Sequence, residues 1–176
     1  MMKSNSRVLE DGFKKVEELI RNQMRLRFVT AGFKFLRHAW DAREFQSFTG
    51  NTLTSYAFGC YENGVLFDMY VSVEGMIKPL RRKIAYGERS YLSRPYEGEE
   101  RTVKGMVDTD DEYGHEESRS FLENYKPDTS GYVLVVTTGT EYSEYMEDIR
   151  DLNVLTDTYY AGKSGLVNDI IKKPLP

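Results

Sequence analysis

The sequence predicts a domain that combines helices with a small sheet. Three observations support this prediction. Apolar residues recur at helical spacing over about residues 7–40, an Asn63-Gly64 turn separates two β-rich runs, and Tyr132–Val136 is an unbroken apolar stretch. A chain of 176 residues with 40% apolar content suits one domain with a substantial core.

The first element is an amphipathic helix from about Arg7 to Trp40. Its apolar residues follow one another at three- and four-residue steps: Leu9, Phe13, Val16, Ile20, Met24, Phe28, Ala31, Phe35 and Leu36. Gly32 lies inside this pattern and costs roughly 1 kcal/mol relative to Ala in a helix. The span is therefore predicted either as one long helix or as two in succession.

A β-hairpin follows the helix. Leu53–Tyr61 is predicted as a strand, and Val65–Val73 alternates between apolar and polar residues as its return strand. Asn63-Gly64 between them accepts the positive φ angles that a tight hairpin turn requires.

The segment from Gly75 to Asp128 differs in character, because glycines, prolines and charged residues crowd it. It carries the basic triplet Arg81-Arg82-Lys83, a possible strand over Arg101–Val107 and a short helix over His115–Tyr125. It also carries an acidic run: Asp108, Asp110, Asp111, Glu112, Glu116 and Glu117. Long excursions inside a compact domain are usually functional or mobile. We expect a single domain over 1–176, with its core in 7–73 and 131–173 and an insertion over 75–128 that reaches neighbouring subunits.

The best-defined unit is the stretch from Gly131 to Leu155. The Tyr132–Val136 run predicts a buried, central strand, and Thr140 can cap a helix that continues to Ile149. A last helix is expected from Asp157 to Lys173, capped by Thr156 or Asp157 and weakened in its first half by Gly162 and Gly165.

Few residues suggest chemistry. Cys60 is the only cysteine, so the chain has neither an internal disulfide nor a cysteine zinc site. His38 and His115 lie far apart in sequence, and no serine sits in a nucleophile-elbow pattern. We expect no catalytic residue, no cofactor and no metal.

Two motifs imitate binding sites without completing them. Ala161-Gly162-Lys163-Ser164 resembles the end of a phosphate-binding loop, but Asp157 stands where the first glycine is needed. The acidic run would need a glycine and a glutamate where an EF-hand count from Asp108 finds Tyr113 and Arg119. Both are expected to be ordinary solvated or helix-flanking segments.

The net charge of −4 argues against a general nucleic-acid binder. We find no run of apolar residues long enough for a membrane span. The first residues lack the apolar stretch of a signal peptide, so we expect a cytoplasmic product.

Three pieces, in this order, resemble the tail-completion (minor head–tail joining) proteins of tailed bacteriophages. They are the N-terminal helix ending in Phe35–Ala39, the segment Thr49–Ser55 leading into the hairpin, and the Gly-x-x-Tyr-x-x-Tyr-x-Glu pattern over Gly139–Glu147. The resemblance covers about 7–73 and 131–173. Members of that family usually carry a shorter, less charged segment where this chain has Gly75–Asp128.

The resemblance implies an α+β fold, with an antiparallel sheet flanked by the N- and C-terminal helices. It further implies a non-enzymatic virion protein, made in the host cytoplasm, that forms a hexameric or dodecameric ring at the neck, between portal or adaptor and tail proteins. Tyrosines and basic residues are then the expected interface anchors: Tyr142, Tyr145, Tyr159, Tyr160, Arg81, Arg82 and Lys83. Packing of these tyrosines in the chain's own core is an equal alternative.

DNA must pass through such a ring during ejection, so we expect no specific DNA binding. The acidic run from Asp108 to Glu117 is a candidate channel lining, with a solvated outer loop as the alternative. Two other functions stay open: a non-viral oligomeric binding or regulatory module, and a small hydrolase whose site the sequence hides.

Overall fold

The computed structural model describes residues 5–44, 51–72, 82–84, 105–107, 113–140, 142–148 and 152–174. Its elements are, in chain order, α1 (Asn5–Ala42), α2 (Asn51–Thr54), β1 (Tyr56–Glu62), β2 (Val65–Val71), β3 (Arg82–Ile84), β4 (Gly105–Val107), α3 (Tyr113–Asn124), β5 (Tyr132–Thr138), α4 (Tyr142–Asp148), α5 (Thr156–Lys163) and α6 (Asn168–Ile171). The α+β fold, with a long N-terminal helix, an antiparallel sheet and C-terminal helices, is confirmed.

The main sheet has three antiparallel strands in the order β2-β1-β5. Phe58 on β1 stands opposite Tyr70 on one side and Val136 on the other. The prediction that the Tyr132–Val136 run forms a central strand is therefore wrong, because β5 lies at an edge of the described sheet and β1 occupies its centre. Strands β3 and β4 pair with each other in a separate small sheet.

The hairpin between β1 and β2 forms as the sequence predicts. Asn63 and Gly64 both have positive φ, 51° and 79°, which matches the tight turn that Asn-Gly favours. The Asn63 side chain also accepts a hydrogen bond of 2.8 Å from the Gly131 N–H. The turn is thereby tied to the start of β5.

Strand β1 is buried on both faces. Tyr56, Phe58 and Cys60 point to α1, where Leu36 and Ala39 complete the larger core cluster. On the opposite face, Ala57 packs with Val71 and with Leu122 of α3. The described core is thus layered, with α1 on one side of the sheet and α3 on the other.

Helix α1 runs unbroken through Gly32, which settles the choice between one helix and two. A Cβ atom at position 32 would lie 2.5 Å from the Phe58 ring. That ring is held by Phe33 and Tyr70, with ring centroids 5.1 and 6.0 Å away. Glycine is needed here because strand β1 approaches the helix too closely for any side chain.

A charged cluster ties the middle of α1 to the end of β1. Arg25 donates two hydrogen bonds to Glu62, at 2.9 and 2.6 Å, and Arg21 lies 3.1 Å from the same carboxylate. Tyr132 adds a hydroxyl bond of 3.2 Å. The hydrogen bond from Arg25 is the main reason that the pKa of Glu62 is lowered. On the N-terminal side of this clamp, residues 7–20 of α1 are exposed.

Helix α3 corrects the predicted extent of the insertion. It lies within 75–128, yet Leu122 is fully buried and Tyr61 donates a 2.6 Å hydrogen bond to its carbonyl. Ser118 likewise bonds the Ser55 carbonyl at 2.5 Å. Gly139 approaches α3 so closely that a Cβ there would lie 2.2 Å from the Gly114 carbonyl. The helix therefore belongs to the core, and a deletion from Arg81 to Glu117 would remove five of its twelve residues.

The predicted C-terminal helix is divided in two. Gly165, with φ of +99°, follows the end of α5 and precedes α6. A left-handed residue of this kind commonly ends a helix. Lys34 and Asp169 join α6 to α1 at 2.8 Å.

Replacing Gly32 with Ala should destabilise the protein by about 1–3 kcal/mol, because overpacking outweighs the gain in helix propensity. Gly12→Ala is the matched control in the same helix, since its Cβ would meet nothing within 4 Å. Urea unfolding should show a lower free energy of unfolding for Gly32→Ala only. Equal stability of the two variants would contradict the close approach of Phe58.

Candidate interface surfaces

Tyr159 and Tyr160 are the predicted interface residues that the structure places on the surface. Both side chains are 58% exposed on α5, with ring centroids 5.4 Å apart in an edge-to-face arrangement. The Lys163 ammonium lies 4.3 Å from the centre of the Tyr159 ring. Two adjacent exposed tyrosines form an amphipathic surface of the kind found at protein interfaces. We call this pair the tyrosine patch.

The tyrosine patch is oriented by a carboxylate from another helix. Glu147 of α4 accepts hydrogen bonds from the N–H groups of Val154, Leu155 and Thr156, at 3.0, 2.5 and 2.8 Å. Burial raises the pKa of Glu147, but these N–H groups outweigh it, and the pKa is lowered overall. The sequence predicts Thr156 or Asp157 as the cap of this helix; Glu147 supplies the anion at its N-terminus instead. Glu147 is also the last residue of the Gly139–Glu147 pattern.

Asn153 also holds the start of α5, through contacts with the end of α1. Its amide donates a 2.6 Å hydrogen bond to the Ala42 carbonyl at the end of α1, and its oxygen accepts one of 3.0 Å from the Asp157 N–H. Tyr56 reaches the next residue, donating to the Val154 carbonyl at 3.0 Å. Burial raises the pKa of this phenol, so it stays a neutral donor. The start of α5 is thereby tied to α1, β1 and α4 together.

An apolar trough borders the tyrosine patch. Its volume is about 430 Å³, and it is lined by Phe35, Leu134, Val136, Leu155, Thr158, Tyr159, Gly162 and Lys163. Gly162 and Lys163 thus line this trough at the last turn of α5. Phosphate-binding loops place the anion at a helix N-terminus, whereas this motif lies at a C-terminus.

The other predicted interface residues are only partly covered by the structure. Tyr142 and Tyr145 belong to α4, and Arg82 and Lys83 to β3, but their side chains lie outside the described part. Arg81 and the acidic residues Asp108, Asp110, Asp111 and Glu112 also lie outside the described residues. Glu116 and Glu117 are exposed on α3. The roles of these residues stay predictions.

The first part of α1 exposes an apolar surface that the sequence analysis did not predict. Every residue from 7 to 20 of α1 is exposed, and we call this segment the arm. Its apolar side chains are 42–71% exposed: Val8, Leu9, Phe13, Val16, Leu19 and Ile20. At about 1.5 Å per residue, the arm is about 20 Å long.

The sequence pattern does not reveal that the arm is exposed, because the apolar stripe rotates around the helix axis along α1. Steps of four residues, as from Val16 to Ile20 and Met24, each advance the pattern by about 40° around the helix. At seven-residue intervals, the sheet-facing Phe28 aligns with Arg21 and then with Lys14 of the arm. The apolar residues of the arm therefore lie on a different side from the core face.

The described residues offer little for catalysis. Among them, no group of three or more His, Cys, Asp or Glu side chains could hold a metal ion. The buried Cys60 thiol has its pKa raised to about 12 by desolvation, so it is a poor nucleophile. His38 contacts Thr158 at 3.0 Å, whereas His115 is buried on α3, on the other side of the sheet.

No helix within the described ranges is both long enough and apolar enough to cross a membrane. Comparison with protein-family models, with curated proteins and with solved structures found no match to this chain.

Glu147→Gln should lower the free energy of unfolding by about 1–3 kcal/mol at pH 7, because a charged acceptor of three N–H groups becomes a neutral one. The lowered pKa means that the Glu147 contribution is fully present above the unfolded value near 4.5 and is lost as the pH falls through the folded value. The stability difference between wild type and variant should therefore shrink below about pH 4.5.

Glu144→Gln, an exposed change on the same helix, is the control and should leave the free energy of unfolding nearly unaltered. A constant difference between wild type and Glu147→Gln from pH 7 to pH 3 would show that this carboxylate does not cap α5.

Proposed function

We propose that this protein is a ring-forming structural subunit of the head–tail junction of a tailed bacteriophage. The observation that carries the proposal is the presence of two different uncovered apolar surfaces on one chain, the arm and the tyrosine patch. A closed ring needs heterologous contacts, in which one surface of each copy meets another surface of the next. A chain with two unlike surfaces has what such a contact requires.

The sequence resemblance supplies the phage context. Two residues of the Gly139–Glu147 pattern have defined roles in the structure. Gly139 leaves the space that the close approach of α3 requires, and Glu147 accepts N–H hydrogen bonds at the start of α5. The pattern thus joins the sheet, α3 and the C-terminal helices. In this chain, these contacts give the glycine at the start of the pattern and the glutamate at its end a structural role.

In this proposal the ring sits between portal or adaptor and tail proteins and helps to complete and attach the tail. Six or twelve copies surround the channel for the ejected genome. The net charge of −4 suits a conduit that does not hold phosphates, because phosphate binding is driven by Lys and Arg. The protein acts without catalysis and without a cofactor.

Native mass spectrometry and electron microscopy of the purified protein test the proposal. We expect a closed ring of six or twelve copies with a central opening. Tyr159→Ala together with Tyr160→Ala should weaken assembly about tenfold or more, because exposed tyrosines often dominate interface energy. The same double variant should unfold within about 0.5 kcal/mol of wild type, since both side chains are on the surface.

A chain that stays monomeric, or that turns over a substrate as a monomer, would contradict the proposal. A ring alone would still fit an oligomeric regulatory module. Portal and tail-tube genes beside the gene for this chain would separate the two functions.

A further inference from the structure

The arm carries an apolar stripe whose continuation along α1 is mainly polar. The stripe consists of Leu9, Phe13, Val16 and Ile20, and we call it the arm stripe. Two and four turns further along α1, at seven-residue intervals, the same side carries Gln23, Arg27, Thr30 and Lys34.

That side of α1 is occupied in the body of the protein by the C-terminal segment. Arg27 donates to the Pro174 carbonyl at 2.8 Å and to the Lys173 carbonyl, and Lys34 pairs with Asp169. These contacts are polar, whereas the arm stripe is apolar. The stripe therefore requires a partner of a different kind.

A second apolar stripe runs along α1 beside the first. Leu19, Leu26 and Phe33 follow one another at seven-residue steps and are 54%, 60% and 46% exposed. We call these three residues the acceptor stripe. Its middle residue, Leu26, lines an open groove of about 750 Å³ between α1 and the C-terminal segment, together with Ile170 and Pro174. At its end, the partly exposed Phe33 also contacts Phe58 and Tyr70.

The two stripes match in length and in spacing. The arm stripe spans 11 residue steps and the acceptor stripe 14, or about 16 and 21 Å at 1.5 Å per residue. Leu9 with Val16 and Phe13 with Ile20 repeat the seven-residue interval of the acceptor stripe. Apolar residues at this interval are typical of surfaces that pack against another helix.

Charge also favours another copy of this chain as the partner. Residues 7–21 contain four acidic and four basic side chains: Glu10, Asp11, Glu17, Glu18, Arg7, Lys14, Lys15 and Arg21. Such a surface does not repel its own copy. Helices that bind membrane surfaces, in contrast, are rich in Lys and Arg on their polar face.

The edges of the two stripes are complementary in charge. Glu10 and Glu17 lie along one edge of the arm stripe, at seven-residue spacing. The groove beside Leu26 carries two basic residues, Arg27 and Lys173, and its acidic residue, Asp169, is paired with Lys34. We propose that the arm stripe of one copy packs against the acceptor stripe of the next copy, with these acidic and basic side chains facing one another. The inference rests on the proposed ring and specifies one contact between its neighbouring subunits; the tyrosine patch is a separate surface of the same chain.

The test uses one charged substitution in each stripe of the full-length protein. Phe13→Glu alters the arm stripe and Leu26→Glu the acceptor stripe; both side chains are mostly exposed, 71% and 60%, so both variants should fold. Lys14→Glu, on the charged side of the arm, is the control. Light scattering after gel filtration should show association weakened about tenfold or more for the two stripe variants. The control should assemble like wild type.

Mixing the two variants in equal amounts gives the decisive result. Phe13→Glu retains an intact acceptor stripe and Leu26→Glu an intact arm stripe, so one good contact can form between them. We expect a heterodimer in native mass spectrometry, although each variant alone is monomeric. A mixture that stays monomeric would overturn the inference, as would either variant that assembles like wild type or a wild type that never associates.

The outcomes also separate the inference from the proposed function. A wild-type chain that forms open dimers or fibres, together with a heterodimer in the mixture, supports the stripe contact but contradicts the ring. A closed wild-type ring that both substitutions leave intact supports the ring but overturns the stripe contact.

Discussion

Strand β1 is buried on both faces, and this constraint determines where the other elements lie. Its backbone leaves so little space that Gly32 must face Phe58, and a Cβ at Gly59 would lie 3.0 Å from Leu122. Two helices, α1 and α3, are needed to exclude water from the two faces, since a buried strand would otherwise expose large apolar side chains. The clamp at Glu62 and the junction at Asn153 then fix the ends of this layered core.

Local signals in the sequence predicted much of the fold. The Asn63-Gly64 turn depends only on residues that accept positive φ, and the Tyr132–Val136 run only on its own side chains. The order of the strands depends on pairing between distant segments, so the sequence did not show that β1 is central. Helix α3 was assigned to an insertion because charged residues surround it. Its one leucine, Leu122, is fully buried against the sheet. A single buried leucine among charged residues gives no periodic pattern from which this packing could be predicted.

The sequence predicted one of the candidate surfaces and missed the other. Tyr159 and Tyr160 were predicted as anchors and lie on the surface, where the carboxylate of Glu147 orients their helix. The cap itself could not be predicted, because it joins two helices through a loop. The arm was missed for another reason. A helical repeat shows which residues share a side, but it does not tell whether the chain itself supplies the partner for that side.

We propose that another copy of the same chain covers the arm. Hydrogen–deuterium exchange of the arm amides, compared between the assembled wild type and the Phe13→Glu variant, tests this coverage. We expect residues 7–20 to exchange slowly in the assembly and rapidly in the variant, while the amides around Gly32 exchange alike in both. Equal exchange of the arm in the two samples would contradict it, because the arm would then be uncovered in the assembly or covered by its own chain.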